Sequence, residues 1–112
     1  MPHLVRIGLI IVICCGAAMT VNDVQQAIEL CLNRAALLDA AQPERHALLR
    51  EIIQLRRMTD IISSTAMQPE PMKSHIIVAS TRDGLSFDSE VLDVIGRIFH
   101  NYGLWYRRSG GG

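Results

Sequence analysis

The sequence predicts a small all-α protein, a helical hairpin followed by a C-terminal amphipathic helix. Three stretches repeat apolar residues at intervals of three or four, and proline, glycine or small polar residues separate them. The chain has 112 residues, of which 49% are hydrophobic and 20% are charged, so it supports at most one domain with a small core. Its formal net charge is +0 at pH 7, which favours no nucleic acid partner.

Residues 1–18 have the composition of a signal peptide. Arg6 precedes an apolar or small stretch from Ile7 to Val21, which is short beside the roughly 20 residues that a membrane-spanning helix needs. Small residues near its end predict cleavage after Ala18 and a secreted or periplasmic protein. The alternatives are an uncleaved anchor, which makes the chain a single-pass membrane-anchored accessory protein, and a core helix of a soluble protein.

Residues 19–62 are predicted to form the helical hairpin. Its first helix starts near Asn22, which forms a capping-box-like pair with Gln25, and runs for about 18 residues. Pro43 suits the first turn of the second helix. Because the break between the helices is short, we expect them to be antiparallel. The predicted apolar faces are Val24, Ile28, Cys31, Ala35 and Leu38 in the first helix, and Leu48, Ile52, Leu55, Thr59 and Ile62 in the second.

Residues 63–85 are predicted to be a linker. Two prolines and no apolar period mark residues 63–74. The β-branched run HIIVAS, residues 75–80, predicts a short strand or extended segment, and the turn signal TRDG follows it.

Residues 86–106 are predicted to be the C-terminal amphipathic helix, followed by a flexible tail, residues 107–112. Asp88 is the expected N-cap, and Gly103 is the expected left-handed stop of the helical period, with the rest of the aromatic segment up to Tyr106 following it. The apolar stripe is Val91, Ile95, Ile98 and Tyr102.

The C-terminal helix and its aromatic segment YGLWY are the predicted contact surface for a protein partner or receptor, because aromatic side chains are enriched at interfaces. The predicted partner-binding residues are Ile95, Ile98, Phe99, Tyr102, Leu104, Trp105 and Tyr106.

Membrane contact is an alternative, either through the N-terminal run or through the C-terminal helix. In the second case the aromatic side chains lie at the interface and Arg107 and Arg108 face the headgroups. The acidic flank formed by Asp88, Glu90 and Asp93 weakens attraction to anionic lipid.

Cleavage after Ala18 removes Cys14 and Cys15 and leaves Cys31 alone. We interpret Cys31 as a small buried residue on a helix. The alternatives are an intermolecular disulfide that joins a homodimer and a catalytic thiol.

No sequence motif predicts a metal, a cofactor or catalysis. The four histidines are scattered, and neither a cysteine pair nor the HExxH spacing accompanies them. No glycine-rich phosphate loop or GxSxG motif is present. We therefore predict a non-enzymatic protein without a cofactor.

Two arginine pairs suggest a second function. Arg56-Arg57 and Arg107-Arg108 resemble the dibasic sites at which secreted precursors are cut, so the alternative to a binding protein is a peptide-hormone-like precursor. The competing interpretation of Arg56 and Arg57 is an ordinary solvated helix face.

Overall fold

A computed structural model describes residues 19–109, within which four helices and no strand are found. The predicted all-α class is confirmed. The predicted signal peptide with its cleavage site at Ala18 lies outside the described residues, as do residues 110–112. The helices are α1 (Val21–Ala35), α2 (Pro43–Ser63), α3 (His75–Arg82) and α4 (Ser89–Arg108).

The helix α1 begins slightly before the predicted position. Thr20 is the N-cap, and its hydroxyl accepts a hydrogen bond from the Asp23 amide at 3.1 Å. Thr20 and Asp23 thus take the place assigned to Asn22 and Gln25. Pro43 opens α2 in its first turn, as predicted.

The helices α1 and α2 form the hairpin and contribute most of the core. The predicted face of α1 is buried, with Ala27 added, whereas Leu38 lies beyond the end of the helix and is half-buried. The buried face of α2 differs from the predicted one in its second half. Thr59 and Ile62 are only half-buried, and Met58 and Ile61 are buried instead. The buried residues of α2 are Ala47, Leu48, Glu51, Ile52, Leu55, Met58 and Ile61.

The segment at 75–80 is helical, so the predicted strand or extended segment is wrong. Its N-terminal amides all find acceptors. The Ser74 hydroxyl accepts from Ile77 at 3.0 Å, and the Glu51 carboxylate accepts from His75 at 3.3 Å and Ile76 at 3.0 Å. These bonds satisfy the donors of the first turn and override the β-propensity of the segment.

The turn signal TRDG ends α3 rather than following a strand. Gly84 has a φ of +69°, the left-handed conformation that glycine adopts at low cost. The Leu85 amide then donates to the Ala79 carbonyl at 3.1 Å, which is the six-to-one bond of a Schellman motif.

The helix α4 has the predicted cap and stripe. Asp88 is the N-cap, and Val91, Ile95, Ile98 and Tyr102 are its buried residues. Gly103, however, does not stop the helix: it lies inside α4, which continues to Arg108 and includes the first two residues of the predicted tail. The left-handed conformation expected at Gly103 is found only at Gly84 among the described glycines.

Three contacts establish the helix directions. Arg34 near the end of α1 pairs with Asp88 and Glu90 at the start of α4. The Ser86 amide donates to Glu44 at the start of α2, and the Tyr102 hydroxyl donates to the segment that follows α2. The helix α1 therefore runs opposite to both α2 and α4. We call residues 34–48 and 85–91 the hairpin end, and residues 19–23, 56–70 and 101–109 the aromatic end.

Candidate binding surfaces

The predicted partner-binding residues divide between the core and the surface. Ile95, Ile98 and Tyr102 are buried, so their side chains hold α4 on the bundle and are closed to a partner in this fold. Four of the predicted residues are half-buried and remain partly accessible, namely Phe99, Leu104, Trp105 and Tyr106. The accessible part of the predicted surface is therefore smaller than the sequence suggested.

The aromatic residues of α4 form one packed group. The ring of Tyr102 lies 5.4 Å from that of Trp105 and 6.4 Å from that of Tyr106, measured between centroids. The Tyr102 hydroxyl donates to the Glu70 carbonyl at 2.6 Å. Since Tyr102 is anchored at both its ring and its hydroxyl, the two outer rings rest on a fixed support.

The segment between α2 and α3 is tied to α2 by side-chain contacts. Arg57 makes a two-pronged ion pair with Glu70, in which the Nη2 to Oε2 distance is 2.9 Å. The hydrogen bond from Arg57 holds the pKa of Glu70 below its usual range. Gln54 donates to the Lys73 carbonyl at 3.1 Å.

The two arginine pairs lie in different settings. Arg56 and Arg57 are inside α2, and Arg57 is engaged with Glu70, so a protease that needs an extended substrate must first unfold this helix. Arg107 and Arg108 are exposed in the last turn of α4. The second pair is therefore the more accessible one.

An apolar groove of about 360 Å³ opens at the hairpin end, and we call it the hairpin groove. Its apolar lining comes from the turn after α1, from α2, from the approach to α4 and from the first turn of α4. It consists of Leu37, Leu38, Leu48, Phe87 and Val91. Arg34, Gln42, Glu44, Ser86 and Asp88 complete the lining. Leu37 is 78% exposed, more than any other large hydrophobic side chain in residues 19–109.

Sequence reasoning missed the hairpin groove for a physical reason. It treated Leu38 as part of a helical stripe, assigned no role to Leu37, and could not place Phe87 beside either. The chain leaves the helical period after Ala35, and the loop before α4 meets this turn only in the folded protein. The exposed leucine pair after a helix was the one available signal.

Within residues 19–109, the buried polar side chains are Glu51 and Ser74, and they join α2 to α3. The Glu51 side chain is fully buried and accepts hydrogen bonds from the Ser74 hydroxyl and from the His75 and Ile76 amides. Burial raises the pKa of Glu51, and the hydrogen bonds to the ionised form oppose that effect. Because its acceptors are used in holding α3, we assign Glu51 a structural role.

Cys31 is a buried residue on α1, as the sequence suggested. Burial, with a smaller contribution from the nearby Glu51 charge, raises the pKa of its thiol to about 12. An intermolecular disulfide needs the sulfur at the surface and catalysis needs a thiolate, so this geometry supports neither alternative.

In the described part of the chain, no group of three or more metal-ligating side chains converges. Within the same residues, every helix is too short or too polar to cross a bilayer. No protein-family model, curated protein or solved structure matches the chain.

Proposed function

We propose that the protein is a small exported, non-enzymatic module that binds a protein partner through the hairpin groove. The observation that carries the proposal is the position of Leu37, which is 78% exposed and lines a groove with apolar walls. A single exposed leucine is common on protein surfaces, but one beside an apolar groove offers a partner a continuous apolar patch.

The shape of the hairpin groove is held by contacts on both sides. Arg34 donates to Asp88 at 2.8 Å and to Glu90 at 2.7 Å, which ties α1 to α4 next to the groove. The Ser86 amide donates to Glu44 at 3.4 Å across the same opening. A groove that already has its bound shape loses less conformational entropy when a partner arrives.

The chemistry of the groove indicates the kind of partner segment it accepts. Its apolar floor is bordered by charged Arg34, Glu44 and Asp88, which resembles the apolar centre and polar border of protein interfaces. A volume of about 360 Å³ lies at the small end of the range of ligand-binding pockets. We therefore expect a partner segment that presents a leucine or aromatic anchor flanked by polar residues.

Export is proposed on the composition of residues 1–18, which combine Arg6, an apolar stretch and small residues. Mass spectrometry of the protein recovered outside the cytoplasm tests whether the chain is exported and cleaved. We expect a mature chain that begins near Met19. Full-length protein beginning at Met1 in the membrane fraction would favour the anchor, and fragments bounded by the arginine pairs would favour the peptide precursor.

The binding proposal is tested with a photo-crosslinking residue placed at position 37 of the full chain. The matched control is position 53, because Ile53 is 69% exposed on α2 and does not line the groove. We expect an adduct with one partner from position 37 and not from position 53.

The partner found in this way is then used in a binding measurement. Leu37→Ser is expected to weaken affinity about ten-fold or more, the effect of losing one apolar anchor, while Ile53→Ser leaves it unchanged. Equal adducts from both positions, or equal affinities of both serine variants, would contradict the proposal.

A further inference from the structure

A second surface lies at the opposite end of the bundle from the hairpin groove. The start of α1, the end of α2 and the end of α4 all lie at this end, and the Tyr102 hydroxyl of α4 donates to the segment that follows α2. Two of the exposed large hydrophobic side chains, Val21 and Met67, belong to this end, as do the half-buried Trp105 and Tyr106. The aromatic end therefore combines apolar and aromatic groups with the basic residues Arg107 and Arg108.

The N-terminal apolar stretch joins the bundle at this end. Residues 7–18 are apolar or small and lead directly into Met19, which is buried in the core just before α1. Before the proposed cleavage after Ala18, a bilayer that receives this stretch lies next to the aromatic end, because no spacer separates the two in the sequence.

The charges of α4 are segregated along its length. The acidic residues Asp88, Glu90 and Asp93 all precede or lie in its first turns, and every charged residue from Arg97 to Arg108 is basic. At about 1.5 Å per helical residue, Asp88 lies roughly 25 Å from Trp105. Asp88 and Glu90 are also paired with Arg34. The acidic flank that counted against membrane contact in the sequence is thus remote and partly neutralised.

We propose that the aromatic end is a membrane-interface surface that contacts a bilayer containing anionic phospholipid. Trp105 and Tyr106 suit the interfacial region, where an apolar ring with a polar edge is favoured. The exposed Arg107 and Arg108 follow them directly and reach the headgroups with their long side chains.

The other charges at the aromatic end leave the balance positive. Its basic residues are Arg56, Arg57, Arg107 and Arg108, and its acidic residues are Asp23, Asp60 and Glu70. Arg57 and Glu70 neutralise one another through their ion pair. Three basic and two acidic residues remain. Two of the basic ones, Arg107 and Arg108, directly follow the aromatic residues of α4, which gives a local attraction to anionic headgroups.

The experiment uses the full chain and the fluorescence of Trp105, which is the only tryptophan. The protein is mixed with vesicles of phosphatidylcholine and phosphatidylglycerol, some of which carry brominated acyl chains that quench tryptophan. Flotation separately measures the fraction of protein on the vesicles. We expect bound protein to show blue-shifted emission and quenching of Trp105.

Two charge variants test the orientation. Arg107→Gln with Arg108→Gln is expected to reduce the quenching of bound protein at least two-fold and to weaken binding by up to roughly 30-fold, the effect of two basic residues at an anionic surface. Arg45→Gln with Arg50→Gln, in the first half of α2, makes the same charge change and is expected to leave quenching unchanged.

Failure of the chain to float, or equal effects of the two double variants, would overturn the proposal. Bound protein with an unquenched Trp105 would also overturn it, since the N-terminal stretch would then be the sole contact and the aromatic end would be open to a protein. The hairpin groove lies at the other end of the bundle, so Leu37 variants report on the proposed function independently.

Discussion

The hydroxyl of Ser74 donates a hydrogen bond to the buried carboxylate of Glu51, which joins the start of α3 to the middle of α2. The same carboxylate accepts from two amides in the first turn of α3. The Ile77 amide donates to the Ser74 hydroxyl, and the Val78 amide donates to the Ser74 carbonyl at 3.2 Å. The first turn of α3 is therefore capped jointly by its own N-cap and by a residue of another helix.

This capping predicts an unusual pH dependence of stability. Burial raises the pKa of Glu51 in the folded protein above 4.5, the ordinary value for this group. Between the unfolded and the folded pKa, the folded state therefore binds more protons than the unfolded state. The contribution of Glu51 to the free energy of unfolding is then fully present at low pH and declines as pH rises through the folded pKa. Glu70 and Asp88, whose pKa values are lowered by arginine partners, change stability in the opposite direction.

The variant Glu51→Gln isolates the Glu51 contribution, because the other carboxylates are common to both proteins. Urea unfolding is followed at several pH values from 4 to 8. We expect the stability of the variant relative to the parent to increase with pH. A difference that stays constant, or that decreases with pH, would show that the parent does not gain a proton at Glu51 on folding.

The sequence predicts the helices that local signals specify, such as an apolar period or an N-cap residue. It misses a helix that is stabilised by a residue far away in the chain. The stripe of α4 follows from the helical period, and Asp88 lies where an N-cap belongs. By contrast, α3 contains the β-branched run Ile76 to Val78, and two of its amides are capped by Glu51, more than twenty positions earlier in the chain. Local propensity cannot represent such a contact.

The same distinction explains the binding surfaces. The apolar stripe of α4 correctly indicates burial. A sequence cannot tell a stripe that packs in the core from one that contacts a partner, because both repeat apolar residues at the helical period. Ile95 and Ile98 proved to be core residues, and the most exposed apolar side chain, Leu37, lies in a turn outside any period. The groove beside it exists only because Phe87 returns to the hairpin turn in three dimensions.

Cys31 is predicted to be unreactive in the folded protein. With its pKa raised to about 12, the thiolate fraction at pH 8 is roughly a thousand-fold below that of an ordinary cysteine, and the side chain has no exposed surface. A Cys14→Ser/Cys15→Ser variant makes Cys31 the only thiol. Its reaction with Ellman's reagent is expected to be slow until denaturant is added.

The control moves the thiol by one position. Leu32 is 41% exposed on the same helix, so the variant Leu32→Cys, combined with Cys31→Ala and the two serines, is expected to react within minutes. Rapid native labelling of Cys31, or a Cys31-linked dimer on a non-reducing gel, would show that α1 opens readily enough to expose its buried face.

The hydroxyl of Tyr102 is predicted to stabilise the fold through the segment after α2. Tyr102→Phe removes the donor to the Glu70 carbonyl and retains the buried ring. We expect a loss of about 0.5–1.5 kcal/mol in the free energy of unfolding, the usual net value of one hydrogen bond. Tyr106→Phe removes the same atom from a half-buried ring of the same group and is expected to have a smaller effect, so equal losses would contradict this role of Tyr102.

The three glycines in the described part of the chain are predicted to respond to alanine in opposite directions. Gly96 and Gly103 lie inside α4, and a Cβ at Gly96 meets nothing within 4 Å, while one at Gly103 meets only the Arg107 Nη1 atom at 3.7 Å. Alanine reduces the backbone entropy of the unfolded chain at both positions, so each variant is expected to gain about 0.5–1 kcal/mol.

Gly84→Ala supplies the contrast, because its φ of +69° is strained for any residue with a Cβ. We expect it to lose about 1–2 kcal/mol, although its Cβ also meets nothing within 4 Å.

Gly96 and Gly103 are roughly 10 Å apart along α4, so their gains should add within experimental error. Thermal or urea unfolding compares the parent with the three single variants and with the Gly96→Ala/Gly103→Ala double variant. A loss on Gly103→Ala would mean that α4 ends near Gly103 in solution, as the sequence first suggested, and that Trp105 and Tyr106 are not carried on a continuous helix.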